Sequence, residues 1–416
     1  MKTILVSFIG RGIDSGSGYR TVDYKFANGD IFKTSFFGSA LLRNLKAQKQ
    51  PVEKWLIMGT AQSNWCDLPY MFDEDDCLAF QDRHCEFIGE LKADADRSIG
   101  GGVSDADLQK WQKLIADESP DTEIICRKVG NATEQESFDK IIQSLLEVVE
   151  DGSRIVFDVT HGYRTQPIVT GFILMYLRWL KNIESLELFY GGEAAEIRGQ
   201  VIDLSFCNDL LKATEAVAVR EQTGNYAAIG EQLNISETFK ANLQKLVFAD
   251  ETHRPNRQLA GELRREIEKN QSGFNPVKSS LAGKLKNSLD WSGEASYARQ
   301  LKRKAETAFK YKQYFKAVIT LWEAVKVACC ESCRETDFLN PNIREQCFNE
   351  IYERRLNSAQ IIKIDDLRSL RNTLAHGTEN RREIEDALVN PKKFEEIFNG
   401  GKNVLEDILA GRIGSS

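Results

Sequence analysis

Ile155-Val156-Phe157-Asp158-Val159-Thr160-His161-Gly162-Tyr163-Arg164-Thr165 is the stretch whose reading decides the fold: a short apolar run that passes into a polar loop and then, from Pro167 on, into an apolar helix. Strand, loop and helix in this order form the unit of an open α/β sheet. In such sheets the loops at the carboxyl ends of strands carry the ligand, and the next helix N-terminus offers unpaired N–H groups to an anion. Pro167 suits the first turn of that helix. Asp, Thr, His and Arg within seven residues are equally the makings of an active site, so the loop either binds or catalyses.

Working outward, apolar runs near residues 3–9, 54–59, 123–129 and 185–190 join 154–159 as expected strands, and amphipathic stretches near 38–48, 104–117, 134–150 and 167–181 lie between them. This alternation predicts a mostly parallel sheet with helices on both faces over residues 1–205. After Asp203-Leu204-Ser205 the strand pattern stops, and apolar residues recur at three- and four-residue spacing to the end. A helical connector is expected over 206–290. From Trp291 the helices lengthen, near 295–311, 315–334 and 392–410, as in a compact bundle.

The 416 residues, 42% hydrophobic and 28% charged, suffice for two or three globular domains and give no compositional sign of disorder. The opening apolar run is too short for a secretory leader, and the longest one, 167–180, is broken by Arg178 and falls short of the ~20 residues that span a bilayer. No membrane segment is expected. Nine scattered cysteines are the usage of reduced intracellular thiols, so a cytoplasmic protein is expected. Cys329, Cys330 and Cys333 resemble half a zinc site, but no second pair follows, so core packing and no metal are expected. A net charge of -7 argues against a protein that coats nucleic acid. The charge is uneven: 21 Lys+Arg stand against 19 Asp+Glu from Trp291 on, and 34 against 43 before it.

The first strand ends in Ser7-Phe8-Ile9-Gly10-Arg11-Gly12, where glycines let the backbone form an anion-binding nest. A dinucleotide fingerprint would need a third glycine where Ser15 stands. The strand near 54–59 ends in Thr60-Ala61-Gln62-Ser63-Asn64-Trp65. With the 158–165 loop, three strand ends of similar chemistry could face one pocket. Gln62 and Asn64 could pair with an adenine edge, and Arg11 and Arg164 could answer phosphates; Thr60 and Ser63 could equally cap the next helix.

These motifs, with Phe32-Lys33-Thr34-Ser35-Phe36-Phe37-Gly38-Ser39-Ala40-Leu41 and above all Asp158-x-Thr-His-Gly-x-Arg164, resemble the CARF sensor domain of CRISPR-associated effectors over about residues 1–205. The resemblance implies a Rossmann-like domain that dimerises and binds one cyclic oligoadenylate across the two-fold axis. Its ligand-binding residues would be Gly10, Arg11, Gly12, Thr60, Gln62, Ser63, Asn64, Thr160, His161, Gly162, Arg164 and Thr165. Cyclic tetra-adenylate is the first expectation for the activator; Arg11, where relatives often carry a small polar residue, leaves the ring size open.

The second informative stretch is Asp365-Asp366-Leu367-Arg368-Ser369-Leu370-Arg371-Asn372-Thr373-Leu374-Ala375-His376-Gly377, which resembles the Arg-x4-6-His motif of HEPN ribonucleases. At ~100° per residue Leu367, Leu370 and Leu374 form one apolar stripe, and Arg371 falls inside it. An arginine there is costly unless it meets a partner or a phosphate. Arg371 and His376 lie roughly 140° apart, so one straight helix cannot close both on one phosphate. Either the helix ends near His376, with Gly377 as its cap, or facing copies in a dimer complete the site.

The chemistry needs no metal, because RNA supplies its own 2′-OH nucleophile. Arg371 would hold the phosphate. Imidazole is the side chain that titrates near neutrality, which makes His376 the natural acid or base, with Asn372 positioning it. Arg368, Arg381 and Arg382 would guide RNA. The bland alternative is a surface histidine and an arginine paired with Asp365 or Asp366. The expectation is therefore a homodimeric, cyclic-oligoadenylate-activated, single-stranded-RNA endoribonuclease of type III CRISPR defence, of higher order if dimers associate. Two alternatives stay open: a nucleotide-sensing binding module without nuclease activity, and an effector whose Thr160, His161 and Arg164 also cleave the bound ring.

Overall fold

In the computed structural model the described residues are 2–10, 21–72, 74–95, 101–131, 133–192, 195–252, 256–377 and 381–414. The chain forms two compact units, residues 1–211 and 212–416.

The first unit is built on β1 (Thr3–Ile9), every residue of which is buried, as expected for a strand covered on both faces. Around it run β2 (Val22–Lys25), β3 (Ile31–Thr34), β4 (Lys54–Gly59), β5 (Glu123–Lys128), β6 (Arg154–Asp158), β7 (Ser185–Gly191) and β8 (Val201–Asp203). The main sheet has the order β5-β4-β1-β6-β7-β8, all parallel except the last pair. β2 and β3 form a separate antiparallel hairpin. The helices are α1 (Phe37–Ala47), α2 (Glu74–Arg83), α3 (Cys85–Ala95), α4 (Asp105–Asp117), α5 (Gln135–Val148) and α6 (Thr165–Leu180). The hairpin, β8, α2 and α3 are additions to the expected alternation, and α6 begins two residues before Pro167.

Alternation along β1 divides the core into two layers. Leu5 and Ile9 pack with Ala40 and Leu41 of α1 and with Trp55, Trp65 and Trp111. Ile4, Val6 and Phe8 pack with Ile141 and Leu145 of α5 and Ile173, Leu174 and Leu177 of α6. Because the chain builds β4 and β5 on one side of β1 and then crosses to β6 on the other, the direction of winding reverses between β1 and β6. Ligands of open α/β sheets sit at such a point, outside the strand carboxyl ends.

The second unit is helical: α7 (Phe206–Thr223, which begins in the first unit), α8 (Ala227–Leu233), α9 (Glu237–Glu251), α10 (Arg257–Asn270), α11 (Pro276–Ser288), α12 (Tyr297–Lys310), α13 (Tyr314–Ser332), α14 (Pro341–Arg354), α15 (Ser358–His376), α16 (Arg382–Val389) and α17 (Pro391–Leu409). It contains two hydrophobic clusters. One joins Ala213 to Trp291, and the other gathers Ala298, Leu321, Leu367, Leu370 and Phe398. Cys329 and Cys330 lie inside the latter. Among the described residues no helix is long and apolar enough to cross a membrane.

Candidate functional site

The sheet brings the carboxyl ends of β4, β1 and β6 side by side, so the three polar loops adjoin. The loop after β4 is fastened to the end of β1: Ser63 Oγ donates to the Ile9 carbonyl at 2.7 Å, and Asn64 N–H donates to Gly10 O at 2.8 Å. Ser63 Oγ also accepts from Thr60 N–H at 2.9 Å. Thr60 and Ser63 thus shape the loop and cap no helix; the 3₁₀ turn at Trp65–Met71 begins at Asn64 without a side-chain cap. Gln62 is half-buried, its Nε2 donating to the Gly101 carbonyl at 3.2 Å. The Asn64 side chain makes no hydrogen bond among the described residues and stays half-exposed. Arg11 and Gly12 lie outside the described residues.

In the loop after β6, Asp158 Oδ1 accepts from Thr160 N–H at 2.8 Å, closing a tight turn. Thr160 Oγ1 in turn accepts from Gly191 N–H at 2.7 Å, tying the loop to β7. His161 is 5% exposed and turned inward. Its Nε2 accepts from the backbone N–H of Phe37, the first residue of α1, at 3.1 Å, and the ring packs 5.5 Å from Phe36. The imidazole therefore fills a helix-capping place that no side chain of α1 fills. Gly162 takes φ +93°, and a Cβ there would stand 2.9 Å from Phe8 Cβ, so the turn demands glycine.

What the loop shows to solvent is Tyr163, Arg164 and Thr165. Arg164 immediately precedes α6, and its side chain has no hydrogen bond or ion pair among the described residues. An exposed guanidinium at the positive end of a helix suits an anion. Gln166, between the expected loop and the expected helix start at Pro167, holds this arrangement. It is 1% exposed, with Oε1 accepting from Tyr163 N–H at 2.9 Å and Nε2 donating to the Gly130 carbonyl at 2.7 Å. Its only sequence signal was an amide next to the polar loop.

On α6 an apolar row, Ile168, Phe172, Tyr176 and Trp179, is 59–68% exposed. Arg178 bonds Asn208 at 3.0 Å, which brings the start of α7 alongside and adds Phe206 and Leu210 to the exposed apolar face.

The second site lies on α15. A capping box of Asn357 and Gln360 starts this helix, and Gly377, at φ +63°, ends it, its N–H bonding the Thr373 carbonyl at 2.8 Å. The helix therefore runs unbroken through Arg371 and Asn372 and ends at His376, so the terminus foreseen at Gly377 is present. Leu367 and Leu370 are fully buried, Arg371 and Asn372 are half-buried, and His376 is exposed. Arg371 Nη1 donates to Asn372 Oδ1 at 3.0 Å, while its buried Nε has no partner among the described residues. The bland pairings are not made. Asp366 is held by Arg381 at 2.7 Å, and Asp365 accepts from the Tyr352 hydroxyl at 2.9 Å. Arg368 is exposed on the same helix.

An open, mostly parallel sheet with its polar loops gathered beside the central strand is a Rossmann-like domain. Residues 4–202 match the family described as the CARF domain of the CRISPR system endoribonuclease Csx1. Across 98% of its length and 68% of the relative's, the chain is 26% identical to the CRISPR-associated protein MJ1674 of Methanocaldococcus jannaschii. Enterococcus italicus Csm6 bound to cyclic hexa-2'-fluoro-hexa-dAMP aligns with a TM-score of 0.41 and 10% identity, over 99% of this chain and 95% of that one. The sheet unit, over residues 4–202, is thus similar to the CARF domain of a CRISPR system endoribonuclease.

Proposed function

We propose that a cyclic oligoadenylate bound at the β1, β4 and β6 strand ends activates a metal-independent endoribonuclease whose HEPN-type site is Arg371, Asn372 and His376. The observation that carries the reading is the state of Arg371. It is an arginine inside an apolar stripe with no carboxylate among the described residues, a buried Nε without a partner, and Asn372 against its Nη1. Such a group is expensive unless an anion completes it. Arg371 steadies the scissile phosphate, and Asn372 aims the guanidinium. The 2′-OH attacks in line, with the imidazole of His376 moving a proton at the attacking or leaving oxygen. Because Arg371 and His376 diverge by about 140° around one rigid helix, His376 from a second copy completes the site.

The sensor reading rests on the CARF match and on Asn64, Arg164 and Thr165, which face outward while Thr60, Ser63, Thr160 and His161 are committed to the fold. Commitment of His161 Nε2 to Phe37 N–H counts against this histidine as a ring-cleaving base. The exposed α6 face is the patch that a homodimer would cover. Activation requires the ring to bind the active dimer better than the resting one.

The test is cleavage of labelled single-stranded RNA in EDTA, with and without cyclic oligoadenylates of different ring size. R371A and H376A should bind activator as wild type does and cut nothing, and R164A should shift the activator dose. Full cutting by both catalytic variants overturns the assignment.

A further inference from the structure

Within the helical unit, away from α15, a two-chambered cleft opens between α7, α11 and α12. Its outer chamber is about 240 Å³ and its inner one about 90 Å³, and Arg220, Ser288, Trp291, Thr307 and Tyr311 line both. The outer chamber carries three cations, Arg220, Arg303 and Lys310, against one carboxylate, Glu306. That carboxylate already lies 3.6 Å from Lys302 and 3.8 Å from Lys402. Arg303, Thr307 and Lys310 follow one another at four and three residues along α12, so they share a face. Arg303 makes no side-chain hydrogen bond or ion pair among the described residues. Lys310 and Arg220 converge on the Tyr311 ring, 5.6 and 5.4 Å from its centre. Arg220 is already committed, its Nη1 2.6 Å from Glu221 and its Nε donating to Ser288 Oγ at 3.1 Å, so the unneutralised positive charge of the outer chamber rests on Arg303 and Lys310.

The inner chamber differs. Its cations are already paired, Lys304 with Asp250 and Lys316 with Glu251, and Glu323 is held by Arg344. Burial pushes the Lys304 ammonium below its ordinary value despite Asp250, and the group lies 3.9 Å from the Trp291 ring centre. What remains there is the aromatic wall of Tyr226, Trp291 and Tyr311. Surplus positive charge outside and aromatic surface inside match the two ends of a nucleotide.

We propose that this cleft binds a phosphorylated nucleoside, with its phosphate on Arg303 and Lys310 and its base toward the Tyr226, Trp291 and Tyr311 wall. The nucleotide is either free or one unit of an RNA strand. Titration calorimetry on the full chain with uridine 5′-monophosphate, inorganic phosphate and a ten-nucleotide RNA tests it, in wild type and in the double variant R303E/K310E. The uridine probe avoids an adenylate-selective sensor. Both substituted residues are exposed on α12, and a second double variant, R303Q/K310Q, removes the charges without reversing them. Saturable uridine nucleotide binding that weakens at least tenfold in both variants and is untouched by R371A is expected. The same loss in the RNA arm alone assigns the phosphate to a strand. Binding unchanged in both variants, no saturable binding in either nucleotide arm, or inorganic phosphate matching the nucleotide overturns the proposal.

Discussion

Arg371→Met should raise stability while abolishing RNA cutting. In the folded chain the buried Nε of Arg371 lacks a partner among the described residues, and a buried unsatisfied donor costs about 1–3 kcal/mol. Against this stands one hydrogen bond, Nη1 to Asn372 Oδ1 at 3.0 Å, whose loss removes about 0.5–1.5 kcal/mol. Methionine keeps an unbranched stem in the stripe formed by Leu367 and Leu370 and leaves no donor there. The balance spans about −0.5 to 2.5 kcal/mol and centres on a gain of about 1 kcal/mol. In a unit of this size 1 kcal/mol moves the melting temperature by about 2–4 °C. Scanning calorimetry and urea unfolding at matched protein concentration read the stability, and the EDTA cleavage assay reads the activity. A variant destabilised by more than about 1 kcal/mol, or one that still cuts RNA, shows that Arg371 serves the fold rather than the phosphate.

His161→Ala should destabilise the sensor unit by about 2–4 kcal/mol, because it strips Phe37 N–H of its acceptor and leaves a hole beside Phe36; a shift in urea midpoint below 1 kcal/mol refutes that structural role. Gly377→Ala places a Cβ at φ +63° and should cost about 1 kcal/mol, fraying the turn that carries His376, with amide exchange in residues 373–376 as the measurement. The carboxyl of Glu150 is pulled down to about 2 by hydrogen bonds from Lys2 and then Lys54. Its contribution is present above the ordinary carboxylate value of 4.5 and is lost as pH falls toward 2. Glu150→Gln should therefore lower stability most above pH 4.5, flatten the acid limb of unfolding and converge on wild type as pH falls toward 2, as read by urea midpoints across that range. Phe172→Asp with Trp179→Asp, on the exposed α6 face, should leave the fold intact and yield monomers by light scattering; dimers of unchanged stability argue that this face is not the subunit contact.

The parallel sheet was readable because β1, β4 and β6 are buried on both faces and so appear as unbroken apolar runs. The β2 and β3 hairpin was not. Each strand has four residues, with Asp23, Lys25 and Lys33 facing solvent, and little apolar pattern to detect. The strand-end loops were legible as chemistry, since Thr160, His161 and Arg164 are neighbours in the chain. Which of them face a ligand was not legible. Thr160 and His161 turn inward for backbone partners 31 and 124 residues away, and only the assembled sheet supplies those partners. The end of α15 at Gly377 was foreseeable from glycine alone, whereas the engagement of Asp365 by Tyr352 and of Asp366 by Arg381 depended on packing.

The capped, uninterrupted α15 has a mechanical consequence. Its 19 residues make a rod about 28 Å long at 1.5 Å per residue, closed at one end by Asn357 and Gln360 and at the other by Gly377. Arg371 and His376 ride on it like two teeth cut into one bar, so no motion inside a subunit alters their spacing. An activating signal under the proposed scheme can therefore adjust only how one bar meets another. Two equivalent cutting positions would then be set by the same displacement, and neither could be switched on alone.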